Sequence, residues 1–262
     1  QMDFTLHGMS LVLHLPAADF YPGRDQLIEV TLYYPEIRLL MTEKAQAETD
    51  NLRYYRTIAL TFDDGPNAWC TDQTLQVLMK TGARATFFLV GERIGQQAYL
   101  VQREHDEGHS IASHNYQHVY ANSTPASVLK TMPAKADAAH VAAIGIPPAY
   151  ARAPGGQWQR MAEAQMGWPL IQWSVEAEDW RGENGPDPKV TAANIIGGSC
   201  DGGIILMHDL RRNSFTASEK IINTLHEQGY MFLTVDELFA KDGVVLEPDK
   251  PYWCCIDGVT TR

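Results

Sequence analysis

Between residues 57 and 235, short apolar runs alternate with segments whose apolar positions recur every three or four residues. The runs read as strands at 58–62, 85–90, 110–113, 150–153, 170–175, 203–207 and 232–235, several of them bounded by Gly, Pro or Asp. The helical period predicts helices over 71–80, 98–107, 127–142, 190–196 and 217–228. Strands separated by helices imply a parallel α/β sheet with crossover connections, and about seven such units imply a closed, irregular barrel. The first 55 residues differ. Leu11-Val12-Leu13-His14-Leu15 and the run 27–33 read as strands with no helix between them. The expected organisation is a β-rich extension over 1–55 packed on the barrel, a main domain over 56–240, and a tail over 241–262. In that tail, 243–246 and Tyr252-Trp253 are expected to form a hairpin against the barrel.

Composition narrows the function. A chain of 262 residues can bury a sizeable single core. Its formal charge of −11, from 21 basic and 32 acidic residues, argues against nucleic acid or an anionic membrane surface as partner. No apolar stretch is long enough to span a bilayer and no signal peptide is present. Because the chain begins at Gln1, an upstream export segment or anchor is expected to have been removed. Cys70, Cys200, Cys254 and Cys255 form no Cys-x-x-Cys pair, so a bond from Cys200 to Cys254 or Cys255 and a set of free thiols both stay open.

The candidate chemistry sits at strand ends. Asp63 and Asp64 fall where Ile58-Ala59-Leu60 runs into Gly65-Pro66, a strand entering a turn. One carboxylate can ligate a metal there while the other stays free as a base. His114 and His118 are four residues apart, a spacing that on a helical turn points two ligands at one cation. An isolated Asp-Asp-Gly is ordinarily a solvated turn and an isolated His pair ordinarily a helix face. Three more pieces follow in order: Arg152-Ala153-Pro154-Gly155-Gly156, Glu178-Asp179-Trp180 and Leu206-Met207-His208.

On these five motifs the chain resembles the polysaccharide deacetylases of the NodB-homology type, over about residues 56–238. The resemblance implies a deformed (β/α)7 barrel. It also implies hydrolysis of acetyl groups from N-acetylglucosamine polymers or acetylated xylan, with one divalent metal held by Asp64, His114 and His118. Zinc is expected first, and cobalt, nickel or manganese suit the same donors. Asp63 resembles the general base, Arg152 the cation that orients it, His208 the general acid and Asp179 the carboxylate that holds its imidazole. Gly155 N–H resembles the oxyanion donor, and Trp180 and Leu206 the walls around the acetyl methyl.

Two motifs depart from the family pattern. Glu176 stands where an Asp is usual, and Ala153 and Gly155 replace a proline and an aromatic residue. The cleft is therefore expected to be more open on that side, with Trp158 or Tyr150 supplying the missing platform. The implied partner is an acetylated glycan: peptidoglycan first, then chitin oligosaccharides or acetylated xylan. The implied location is extracytoplasmic. The rival reading is a glycan-binding module without catalysis. Oligomeric state is not legible in the sequence.

Overall fold

A computed structural model describes residues 55–181, 185–256 and 258–261, together with three strands within the first 54 residues. Backbone contacts divide the chain at Tyr54/Tyr55 into two compact units. The N-terminal unit contains β1 (Asp3–His7), β2 (Ser10–Pro16) and β3 (Leu27–Tyr33), paired antiparallel in that order. β2 and β3 lie where two strands were expected; β1 is an additional one.

The second unit is built on β4 (Arg56–Asp63), buried at every position after the first. A strand with neighbours on both edges and cover on both faces reads as a continuous apolar run. On one edge β4 pairs in parallel with β9 (Gly203–His208). On the other edge its start pairs with β10 (Tyr230–Leu233) and its end with β5 (Thr86–Leu89). β6 (Ser110–Ser113) follows β5. Ala151 bridges Ser113 and Leu170. The chain then bends: β7 (Leu170–Ile171) pairs toward Ala151, and β8 (Val175–Glu176) pairs with β9. This bent segment closes the round. Counting 170–176 once, seven parallel β segments among the described residues form the barrel: β4, β5, β6, Ala151, the bent segment, β9 and β10.

Alternation along β4 sorts its side chains. Ile58, Leu60 and Phe62 join the main apolar cluster, with Phe62 stacked on Phe87 at 5.4 Å. Thr61 and Asp63 lie on the opposite face, where both meet the buried Arg152. The helix Arg212–Glu227 buries Ser214, Ala217, Ser218, Ile221, Ile222 and Leu225 at helical spacing, laying one stripe on the sheet.

Several expectations need correction. The helix expected over 127–142 is two helices, Ala126–Leu129 and Met132–Ile144. Pro133 lacks an N–H and fits only the first turn, so the chain restarts there. The single strand expected over 170–175 is the bent pair β7 and β8, and the strand over 150–153 reduces to the Ala151 bridge. The strand expected over 232–235 ends at Leu233, and the helix Val235–Lys241 follows, where Glu237 Oε2 reaches back to accept from Thr234 N–H at 3.0 Å. The tail forms no hairpin between 243–246 and Tyr252-Trp253. Instead β11 (Pro251–Tyr252) lies parallel to β7. Cys70, Cys200 and Cys255 are free thiols, so no disulfide runs from Cys200.

Candidate active site

Asp63, Asp64, His114, His118, Gly155, Trp180, Leu206 and His208 line one cavity of about 420 Å³ at the C-terminal ends of the strands. Parallel barrels present their loops and unpaired strand ends on this face.

Asp63 is the last residue of β4. Asp64, with φ of +75°, turns the chain so that successive carboxylates diverge. Asp64 Oδ1 lies 3.4 Å from His114 Nε2 and 3.2 Å from His118 Nε2. All three donor atoms are within 4.8 Å of one another. Asp64 Oδ1 is buried without a hydrogen-bond partner, a costly state for a carboxylate oxygen unless a cation completes the site. His114 Nδ1 lies 3.0 Å from the Arg152 carbonyl, so it carries the proton and leaves the Nε2 lone pair facing Asp64. Burial pushes the pKa of His114 down to about 3, keeping it neutral as a ligand must be. One carboxylate and two imidazoles therefore fit a divalent cation.

The His pair does not lie on a helical turn. β6 ends at Ser113, Asn115 adopts φ of +68°, and His114 and His118 meet across the loop that results, their ring centroids 5.3 Å apart. A left-handed residue brings the rings together as a helix would have done; Asn tolerates that conformation better than most residues.

Arg152 is fully buried and its guanidinium donates four hydrogen bonds. Nη1 donates to Asp63 Oδ1 and to Thr61 Oγ1, both at 2.7 Å. Nε and Nη2 donate to the carbonyls of Ile171 (3.2 Å) and Gln172 (3.0 Å), and the Phe88 ring lies 4.1 Å beneath. The fork thus spans the bend in 170–176 and fixes Asp63. Burial of Asp63 outweighs the nearby Arg152 charge, so its carboxyl sits above the ordinary value rather than below it. Arg152 orients this carboxylate and pulls its pKa down, but by less than burial lifts it.

His208 ends β9 and is the register partner of Asp63, so the two side chains stand side by side on neighbouring strands. Its Nδ1 lies 2.7 Å from Asp179 Oδ1, and its backbone N–H donates to Asp179 Oδ2 at 2.8 Å. Burial alone would depress the imidazole, but the bond and charge of Asp179 prevail and raise it to about 9. Asp179 is itself completed by the Ser214 hydroxyl at 2.5 Å and by Asn213, whose amide donates to its carbonyl at 3.1 Å.

Trp158 and Tyr150 do not provide the platform. Trp158 packs edge-on against Trp253 at 5.6 Å, outside the cavity lining. Tyr150 is buried, with its hydroxyl 2.7 Å from Ser110 Oγ and donating to Asp236 at 3.0 Å. The aromatic walls are Trp180, Trp173 and Tyr120, the last two not picked out from sequence. Trp180 Nε1 donates to Glu176 Oε1 at 3.0 Å, so Glu176 at its departing position secures this wall. Thr61, Gln172, Asn213 and Ser214 were missed as well. Of these, only Thr61 had a local signal: it stands two residues before Asp63 on the same strand face.

The polysaccharide deacetylase profile matches residues 53–167. The peptidoglycan-N-acetylglucosamine deacetylase PgdA of Listeria monocytogenes is 30% identical across 97% of this chain and 53% of its own length. A peptidoglycan-N-acetylglucosamine deacetylase of Bacillus cereus is 32% identical, covering 70% of this chain and 88% of that protein. The solved structure of a family 4 acetyl xylan esterase from Clostridium thermocellum, in complex with a cobalt ion, matches with a TM-score of 0.69 at 28% identity. That match covers 76% of this chain and 98% of the esterase. The chain spans about half the length of the Listeria relatives it matches. With its parallel barrel and relatives of this kind across most of its length, the chain belongs to the polysaccharide deacetylase family.

Proposed function

We propose that this chain hydrolyses N-acetyl groups from the N-acetylglucosamine residues of peptidoglycan. The observation that carries the reading is the register pairing of Asp63 with His208, beside the Asp64, His114 and His118 triad. A divalent cation on that triad, zinc first with cobalt, nickel or manganese as alternatives, would polarise the acetyl carbonyl and lower the pKa of a water to about 7 in favourable sites. Asp63, held by Arg152 and made more basic by burial, takes the proton from the attacking water. His208, positively charged at neutral pH through Asp179, gives its proton to the departing amine. Gly155, Leu206 and Trp180 line the cavity, where the Gly155 N–H would donate to the developing oxyanion and Leu206 and Trp180 would wall the acetyl methyl. The similarity to the Listeria and Bacillus cereus deacetylases supports the substrate, and a wall substrate in turn favours an extracytoplasmic location. Likeness to the Clostridium esterase favours acetylated xylan as second substrate.

The test is acetate release from peptidoglycan, N-acetylglucosamine oligomers and acetylated xylan, each with and without a chelator. Chelator-sensitive release from peptidoglycan is expected. Release from xylan or N-acetylglucosamine oligomers alone overturns the substrate, and no release from any of them overturns the chemistry.

A further inference from the structure

We propose that Tyr120 is the specificity-determining wall of the cleft, a platform on which a pyranose ring of the glycan stacks beside the acetylated sugar. The proposal rests on the deacetylase reading above and assigns a residue to which that reading gives no role.

The geometry is a steric fit between residues far apart in the chain. Gly155 and Gly156 both adopt left-handed backbone, with φ of +62° and +69°. A Cβ on Gly155 would stand 2.7 Å from Tyr120 Cε1, and one on Gly156 would stand 2.8 Å from Trp173 Cη2. Real Cβ atoms do not approach this closely, so the two glycines are what allow two rings to close on bare main chain. The Tyr120 loop is also tied to the glycine loop: the Asn122 N–H donates to Gln157 Oε1 at 2.8 Å. The Tyr120 carbonyl accepts from Ser123 Oγ (3.1 Å) and Thr124 Oγ1 (2.9 Å), which holds the following turn. The ring meets His118 edge-on at 5.8 Å.

Tyr120 nevertheless remains 53% exposed while lining the cavity. A ring backed on one side by Gly155, abutted by His118 and open on the rest is a rigid apolar surface. Its π face is negative and suits the weakly positive C–H face of a sugar. It also costs little conformational entropy on binding, because it is already held. Gly155 does not leave the cleft open; it makes room for Tyr120.

The experiment compares a tetramer of N-acetylglucosamine, which reaches past the acetylated ring, with a small chromogenic acetyl ester, which does not. Tyr120→Ala is expected to lower kcat/KM on the tetramer by about 10- to 100-fold, mainly through KM. On the ester the fall should be no more than about threefold, with metal content retained. Tyr120→Trp, which keeps a ring, should retain most tetramer activity. Gly155→Ala should impair tetramer hydrolysis in the wild-type background but cost less once Tyr120 is Ala, because the clash is then gone. Active wild type with a Tyr120→Ala variant that loses tetramer and ester activity in parallel, or loses neither, overturns the proposal. Wild type inactive on every acetylated substrate would instead overturn the deacetylase reading.

Discussion

Asp179→Asn isolates the element that keeps His208 charged. The imidazole is raised to about 9 although burial alone would place it below the ordinary value; the bond and charge of Asp179 lead the rise, with the Asp63 and Asp64 charges behind them. The gap between about 9 and about 6.5 favours the imidazolium by about 3.5 kcal/mol, at ~1.4 kcal/mol per pH unit. Asparagine has the same size but the wrong donors. Asp179 Oδ2 accepts from the His208 backbone N–H and the Ser214 hydroxyl, so the amide oxygen must take that side. Its NH₂ then faces His208 Nδ1, now 2.7 Å from Oδ1, where it can accept no proton. The imidazolium loses its partner while burial remains, and the pKa falls to about 6.5 or below. At about pH 7.5 the charged fraction drops from nearly all to a tenth or less. The variant should therefore lose at least about tenfold in kcat/KM at that pH. The alkaline limb of its profile should move from near 9 to below about 6.5. Stability must follow the same group. A folded pKa above the unfolded one stabilises fully below about 6.5, and the contribution disappears as pH rises through about 9. Urea unfolding of wild type should lose on the order of 3 kcal/mol across that window, and the variant should not. An alkaline limb that stays near 9 in Asp179→Asn would refute the coupling.

Further outcomes are expected. His118→Ala should lower bound divalent metal well below the wild-type level by elemental analysis, because two of three ligands remain; full retention would place the cation elsewhere. Asp63→Asn should cost about 10²- to 10⁴-fold in turnover with metal still bound. It should also destabilise by about 3–5 kcal/mol, because it strips the buried Arg152 of its counter-charge. Equal stability by urea titration would mean Arg152 is satisfied without Asp63. Glu237→Ala removes the side chain that accepts from Thr234 N–H at the start of the helix Val235–Lys241 and should cost about 1 kcal/mol in thermal unfolding without changing kcat.

What was legible in the sequence is what depends on neighbours along the chain. The alternation of β4 buries Phe62 and turns Asp63 inward, and the apolar run stopping at Gly65-Pro66 places Asp64 at a strand end. Seven β segments could be counted because each carries its own period. Tertiary structure decided whatever depends on which distant elements meet. A guanidinium satisfied by Thr61, Asp63, Ile171 and Gln172 exists only once the barrel closes. Burial, a property of the whole fold, turned the expected acidification of Asp63 into its opposite. The missing aromatic wall shows the same limit. Trp158 is nearest to Gly155 in sequence but packs on Trp253, whereas Tyr120, 35 residues away, fills the space above the glycine. Local spacing sets which way a side chain points from its own strand or helix. Only the packing of strands and loops against one another sets what it finds there.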